Sequence, residues 1–143
     1  MSTNQPTRTE DLVEIQQLLA RYAVTITQED IDGLLAVFTP DGTYSAFGDT
    51  YRLDRFPELV AAAPKGLFLT GTAVVDIDGD SAQVRSPYVG YGRIGEAPWE
   101  IMSVGRFHCW LVRREGQWLF TEVQNRSIGK AGGPATILHH PRV

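Results

Sequence analysis

The chain has one cysteine, Cys109, in 143 residues. A single thiol cannot close an internal disulfide, and it leaves a cysteine-based zinc site without its ligands. Long apolar runs are absent too: nothing approaches the ~18 consecutive apolar residues that a membrane-spanning helix needs. Nor is there a basic surplus. Thirteen Lys and Arg stand against 17 Asp and Glu, a net charge of −4, whereas a nucleic-acid surface normally shows as an excess of positive charge. Met1 to Thr9 lacks the charged-then-apolar layout of a secretory leader, so a cytoplasmic location is the expectation. No repeat and no low-complexity stretch breaks the chain. What is present is ordinary for a globular protein, with 43% apolar and 21% charged residues,. The length fits one domain over 1–143, large enough to fold around an apolar core without a metal or disulfide.

Thr7 and Glu10 stand in capping-box spacing ahead of Leu12, Ile15, Leu19, Tyr22 and Ile26. Steps of three and four residues place these five side chains on one face of a helix over about 8–27. Thr27 offers a cap for a second helix, with Ile31, Leu34, Leu35 and Phe38 as its buried stripe, ended by the turn residues Pro40, Asp41 and Gly42. A third, shorter helix is expected over about 56–63, stopped by Pro64. The period then changes from helical to alternating. A strand over 67–77 meets a turn at Asp78-Gly79 and returns over 81–91, because glycine tolerates the positive φ that a tight hairpin requires. A long strand over 100–114 turns at Glu115-Gly116 into a last strand over 117–128. A short strand over 43–47 completes the sheet, and an irregular tail follows over 129–143. Helices first and an antiparallel meander after them predict an α+β fold.

In that order, Leu18-Leu19-Ala20-Arg21-Tyr22-Ala23, Asp30, Leu34 and Phe38-Thr39-Pro40-Asp41 resemble the opening of SnoaL-like domains. Asp78-Gly79-Asp80-Ser81-Ala82, Gly105-Arg106-Phe107 and Gly116-Gln117-Trp118 match later landmarks, so the likeness spans about 10–128. The resemblance implies a nuclear transport factor 2-like cone: a curved, mostly antiparallel sheet wrapped around three N-terminal helices, with an internal pocket. It also implies relatives that include ketosteroid isomerases, scytalone and bile-acid dehydratases, polyketide cyclases and dioxygenase β subunits. Fold carries across such a group far better than function does.

By that resemblance Tyr22 stands where isomerases and dehydratases carry a helix-borne tyrosine able to donate to a developing oxyanion. A buried core tyrosine with a backbone partner is the competing reading. The family's other acid–base stations fall on Thr27, Ala46, Phe68, Gly105 and Cys109, which carry no ionised group. Arg126 falls in a region where dehydratase-like members place a polar pocket residue, and it is read either as a carboxylate clamp or as a strand-end arginine in solvent. Asn125 has the opposite parity, so only one of the two points inward. Alternation puts Phe107, Cys109 and Leu111 inward and His108 outward; were the parity reversed, His108 would be the available general base. Phe38, Phe47, Phe68, Tyr88, Trp99, Phe107 and Cys109 are the candidate ligand wall. The opposite face, with Arg85, Val89, Tyr91, His108, Trp110 and Val112, is the expected surface for a homodimer.

Two functions compete on these grounds. One is a cofactor-independent isomerase or lyase acting on a small, largely apolar carbonyl or hydroxyl compound, with Tyr22 as donor and Arg126 as anchor. The other is a non-catalytic ligand-binding or accessory subunit that has lost the family's acid and base. No metal, cofactor, nucleic-acid or membrane partner is expected.

Overall fold

A computed structural model describes residues 8–46, 48–62 and 65–130. Thr7 of the expected capping box, Phe47 of the expected ligand wall, Pro64 and the tail from 131 lie outside the described residues.

The first helix, α1 (Arg8–Gln28), buries Ile15, Leu18, Leu19 and Tyr22 along one face. A short helix, α2 (Ile31–Leu35), follows. Its cap is Asp30 and not Thr27: Gly33 N–H donates to Asp30 Oδ1 at 3.0 Å. Thr27 works in two other bonds, donating from Oγ1 to the Ala23 carbonyl at 2.9 Å and accepting from the Phe68 N–H at 3.1 Å. That second bond ties the end of α1 to the sheet.

Phe38 does not extend α2 but begins the strand β1 (Phe38–Ala46). The turn residues Pro40, Asp41 and Gly42 appear as an irregularity inside that strand, where pairing with the last strand jumps between Phe38 and Thr43. Proline cannot donate to the ladder, so a bulge is where a strand tolerates it. After β2 (Asp49–Arg52), a 3-10 turn and α3 (Phe56–Ala62), the remaining strands are β3 (Lys65–Thr70), β4 (Val74–Asp78), β5 (Ser81–Arg93), β6 (Glu100–Arg114) and β7 (Gln117–Lys130). The expected single strand over 67–77 is therefore two. The break lies opposite Pro87, whose missing N–H interrupts the ladder; Gly71 N–H donates instead to the Pro87 carbonyl at 2.9 Å, and Ser86 Oγ donates to the Gly71 carbonyl at 2.9 Å.

The curved sheet runs β2-β1-β7-β6-β5-β3, with β4 also on β5. Its pairs are antiparallel except β1 with β7, which is parallel. At the β6–β7 hairpin Glu115 and Gly116 both take positive φ, 51° and 77°, the arrangement of a two-residue turn whose twist matches the flanking strands,. Alternation along the strands sends Val84, Ser86 and Tyr88 (β5), Phe107, Cys109 and Leu111 (β6), and Phe120 and Val123 (β7) into the core against α1.

One end of the core is closed by charge. Asp11 of α1 is buried, and its Oδ1 accepts from Arg113 Nη1 at 2.7 Å and from the Trp118 indole N–H at 2.9 Å. Glu14 Oε1 accepts from the Trp118 backbone N–H at 3.2 Å, so one turn of α1 holds the start of β7. Among the described residues no helix is long and apolar enough to cross a membrane.

Candidate functional site

The core is ringed by aromatic side chains with Tyr22 at its centre. Its ring lies 6.2 Å from Phe38, 6.1 Å from Phe68, 5.6 Å from Phe107 and 5.8 Å from Phe120, mostly edge to face. Phe68 stacks on Tyr88 at 5.2 Å, and Phe107 lies 4.7 Å from Tyr88. Such a wall is apolar, and a hydroxyl inside it needs a partner.

The partner of Tyr22 is Tyr44. β1 runs parallel to β7 with Tyr44 opposite the buried Val123, which directs Tyr44 inward. The Tyr22 and Tyr44 hydroxyls share a side-chain hydrogen bond in which either can be the donor. Asn125 Nδ2 donates to the same oxygen at 3.0 Å. Tyr44 Oη thus has two polar partners. Asn125 Oδ1 is shielded from solvent and has no hydrogen-bond partner among the described residues. Turning the amide over would leave its nitrogen unpartnered instead.

The electrostatics follow from burial. Desolvation, with the Tyr44 and Cys109 groups adding to it, holds Tyr22 well above the ordinary phenol range. Burial likewise pushes Tyr44 up to about 12, while its bonds with Asn125 and Tyr22 work in the opposite direction. Burial raises the Cys109 thiol as well, so it is protonated and behaves as a small apolar side chain,. Every one of these groups is neutral near pH 7.

Tyr22, Phe38, Phe68, Tyr88, Phe107 and Cys109 meet around this interior. Three residues do not. Arg126 pairs across the sheet with Arg106 and is exposed on the outer face, because the inward partner of Phe107 is Asn125. Trp99 is 47% exposed, stacked on Tyr91 at 5.9 Å and capped by the Arg93 guanidinium at 5.0 Å, which holds it on the solvent side. His108 lies on the outer face, as its parity requires, with Nε2 2.9 Å from Gln83 Oε1 and its ring stacked on Trp110 at 4.0 Å. Burial, then Arg85 and Arg106, lowers its pKa. The sequence patterns do not single out Tyr44. Its signal was present in the sequence, a tyrosine two residues before Ala46 on the short strand, but nothing local marks its reach toward Tyr22.

The positions onto which the resemblance places acid–base groups have local constraints of their own. At Gly105 an added Cβ would sit 2.3 Å from the Arg126 carbonyl oxygen and 2.6 Å from Tyr88 Cε1, so no acidic side chain fits. Thr27 is held by its two bonds, Ala46 is 4% exposed, and Phe68 fills its place with a ring.

A family profile described as the SnoaL-like domain matches residues 7–124. Comparison with curated proteins gives no match. Among solved structures, a Mycobacterium tuberculosis protein of unknown function is 30% identical, covering 82% of this chain and 71% of that one with a TM-score of 0.75. A protein from Novosphingobium aromaticivorans described as a candidate scytalone dehydratase is 20% identical over 88% of this chain and 91% of that one, with a TM-score of 0.74. A hexachlorocyclohexane dehydrochlorinase from Novosphingobium barchaimii is 17% identical over 87% of this chain and 93% of that one, with a TM-score of 0.77. At such identities the last two share the cystatin-like fold.

Proposed function

Because the chain belongs to the SnoaL-like domain family, we propose that it takes a small, largely apolar carbonyl or hydroxyl compound into the concave interior and polarises the oxygen of that compound through Tyr44. One observation carries the reading. The Tyr22 and Tyr44 hydroxyls share one hydrogen bond while Asn125 Nδ2 donates to Tyr44 Oη at 3.0 Å, so one of the two phenol protons has no acceptor among the described interactions. The bond received from Asn125 stabilises the negative charge that builds on Tyr44 as it gives a hydrogen bond, and chains of this kind strengthen one another in a low-dielectric interior,. The unpartnered Asn125 Oδ1 adds an acceptor beside it. A carbonyl with a neighbouring hydroxyl satisfies both.

Chemically, this is the electrophilic half of an isomerase or lyase reaction: a preorganised donor aimed at developing oxyanion charge. Tyr22 acts as a positioning residue and not as the terminal donor. The family likeness to dehydratase and dehydrochlorinase folds agrees with that half.

A second reading, a binding or accessory subunit, is favoured by the composition of the interior. The ionisable side chains around Tyr22 are phenols and a thiol, with Tyr22, Tyr44 and Cys109 raised in pKa by burial, and none of these is a base near neutrality. The closed Gly105 station supports the same reading.

We also propose a homodimer formed through the outer sheet face. Leu67, Leu69, Tyr91 and Ile101 are 48%, 54%, 39% and 51% exposed there, a continuous apolar stretch that an isologous contact would cover,. Sedimentation of Leu69→Lys against the parent chain tests it: the expected result is dissociation, and an unchanged mass would refute it.

The interior reading is tested by fluorescence titration with 2-acetyl-1-naphthol, which presents a carbonyl beside a hydroxyl. Tyr44→Phe and Asn125→Ala are expected to weaken binding about tenfold or more, near 1.4 kcal/mol. Arg126→Ala leaves it unchanged. Equal affinity for all three variants would refute the assignment.

A further inference from the structure

The outer face carries a second polar feature that the interior reading does not use. A cleft of about 140 Å³ is lined by Arg106, His108, Gln124 and Arg126. The register explains why these four meet: Arg106 stands directly opposite Arg126, and His108 opposite Gln124, at alternate positions of β6 and β7 that share a face. On the other side of β6, His108 stands opposite Arg85. Placing like charges directly across a strand pair is unfavourable. None of the four lining residues is acidic.

Of the nearby carboxylates, one is paired outside the cleft and the other lies at its edge, bonded to a lining residue. Asp76 Oδ2 accepts from Arg85 Nη2 at 3.0 Å, and Glu122 Oε1 accepts from Gln124 Nε2 at 2.8 Å. Arg106 Nη1 is shielded from solvent and has no hydrogen-bond partner among the described residues. A shielded guanidinium nitrogen without an acceptor leaves its desolvation uncompensated. Burial first, and then Arg126 and Arg85, lowers the pKa of Arg106, the direction expected of a cation lacking its counter-charge,.

We propose that this cleft is a binding site for the carboxylate or phosphate group of a small free anion, held between the guanidinium groups of Arg106 and Arg126. The planar fork of arginine presents paired donors at the spacing of two oxyanion oxygens, which a lysine pair would not. An anion there supplies the acceptor that Arg106 Nη1 lacks and relieves the Arg106–Arg126 repulsion. The site lies on the opposite face of the sheet from Tyr44, so its occupancy does not depend on the interior reading.

Calorimetric titration with inorganic phosphate, and separately with acetate, tests this in a buffer whose ionic strength is held constant with chloride. Saturable binding of at least one of them is expected. Arg106→Gln and Arg126→Gln should each weaken that binding about tenfold or more. Arg126→Lys keeps the charge on an exposed position and should recover only part of the loss, which separates the fork from net charge. Tyr44→Phe should leave the binding intact. A heat signal that is linear in anion and identical in the Gln variants would overturn the proposal. So would a dimer that shows no response to either anion and that Arg126→Gln disperses, since the cleft would then belong to a second copy of the chain.

Discussion

Tyr22 and Tyr44 each lose a single hydroxyl oxygen on replacement by phenylalanine, yet the two changes should differ in cost by roughly 2 kcal/mol. Tyr44 Oη is the common partner of the Tyr22 hydroxyl and of Asn125 Nδ2, which donates to it at 3.0 Å. Tyr44→Phe removes that oxygen and leaves two shielded donors facing hydrocarbon. An unsatisfied buried donor costs about 1–3 kcal/mol, so two of them give about 3 kcal/mol. Little relaxation is available, because four rings within 6.2 Å fix the Tyr22 side chain. Tyr22→Phe removes only one of two bonds to an oxygen that keeps Asn125, a loss of about 1 kcal/mol. In the double variant the orphaned Tyr22 hydroxyl no longer exists, so its cost should fall below the sum of the single costs by about 1–2 kcal/mol. Urea unfolding followed by tryptophan fluorescence and circular dichroism reads all three differences, provided the m-value is unchanged. Equal single costs, or additivity in the double variant, would show that water reaches both hydroxyls and would refute the shared-partner geometry.

Stability should also fall at high pH with a slope that Tyr44→Phe makes shallower. A phenol in the unfolded chain ionises near pH 10, whereas Tyr44 in the fold is pushed up to about 12. Between those values the native state holds a proton that the unfolded state has lost, so unfolding becomes easier as pH rises. For Tyr44 the full loss is about 2–3 kcal/mol, complete only above pH ~12; a flat profile in urea titrations from pH 9 upward would contradict its burial. Asp11→Ala should lower the unfolding free energy by about 2–3 kcal/mol, because the Trp118 indole N–H loses its buried acceptor and Arg113 loses one of its two carboxylates,. Trp118 fluorescence should shift in the same experiment, and a variant of parental stability would show Asp11 to be dispensable. Gly105→Ala should destabilise by at least about 2 kcal/mol, since the new methyl meets a backbone oxygen that no side-chain rotation can move,; a neutral result would mean that β6 and β7 separate easily at their bulge.

The parts of the molecule that were legible in the sequence are those governed by periodicity along one segment. Ile15, Leu19 and Tyr22 declared the buried face of α1, and alternation placed Phe107 and Cys109 inward with His108 outward. Local rules failed where a distant partner decides the outcome. Thr27 looks like a cap, but Asp30 lies nearer the start of α2, and the Phe68 N–H, 41 positions away in sequence, competes for the threonine oxygen. Phe38 continues a helical stripe in the sequence; pairing with Phe120 on β7 turns it into a strand.

The candidate site divides along the same line. Resemblance picked out Tyr22, but the residue that gathers the hydrogen bonds is Tyr44, and it does so only because a parallel pairing brings β1 beside β7. That pairing joins segments about 80 residues apart, Tyr44 with Val123, and no spacing rule within either strand announces it. Once the pairing exists, the parity of β7 settles the choice between its two polar neighbours: Asn125 enters the interior and Arg126 leaves it. The exclusion of Arg126 then has a consequence of its own. It places a second guanidinium beside Arg106 on the outer face, so the strand alternation that makes the interior neutral also concentrates positive charge outside. A one-residue slip of β7 would exchange the two outcomes, bringing a cation into the aromatic ring around Tyr22 and removing the donor from Tyr44. The interior hydrogen-bond set and the exterior cationic cleft are therefore two results of one register.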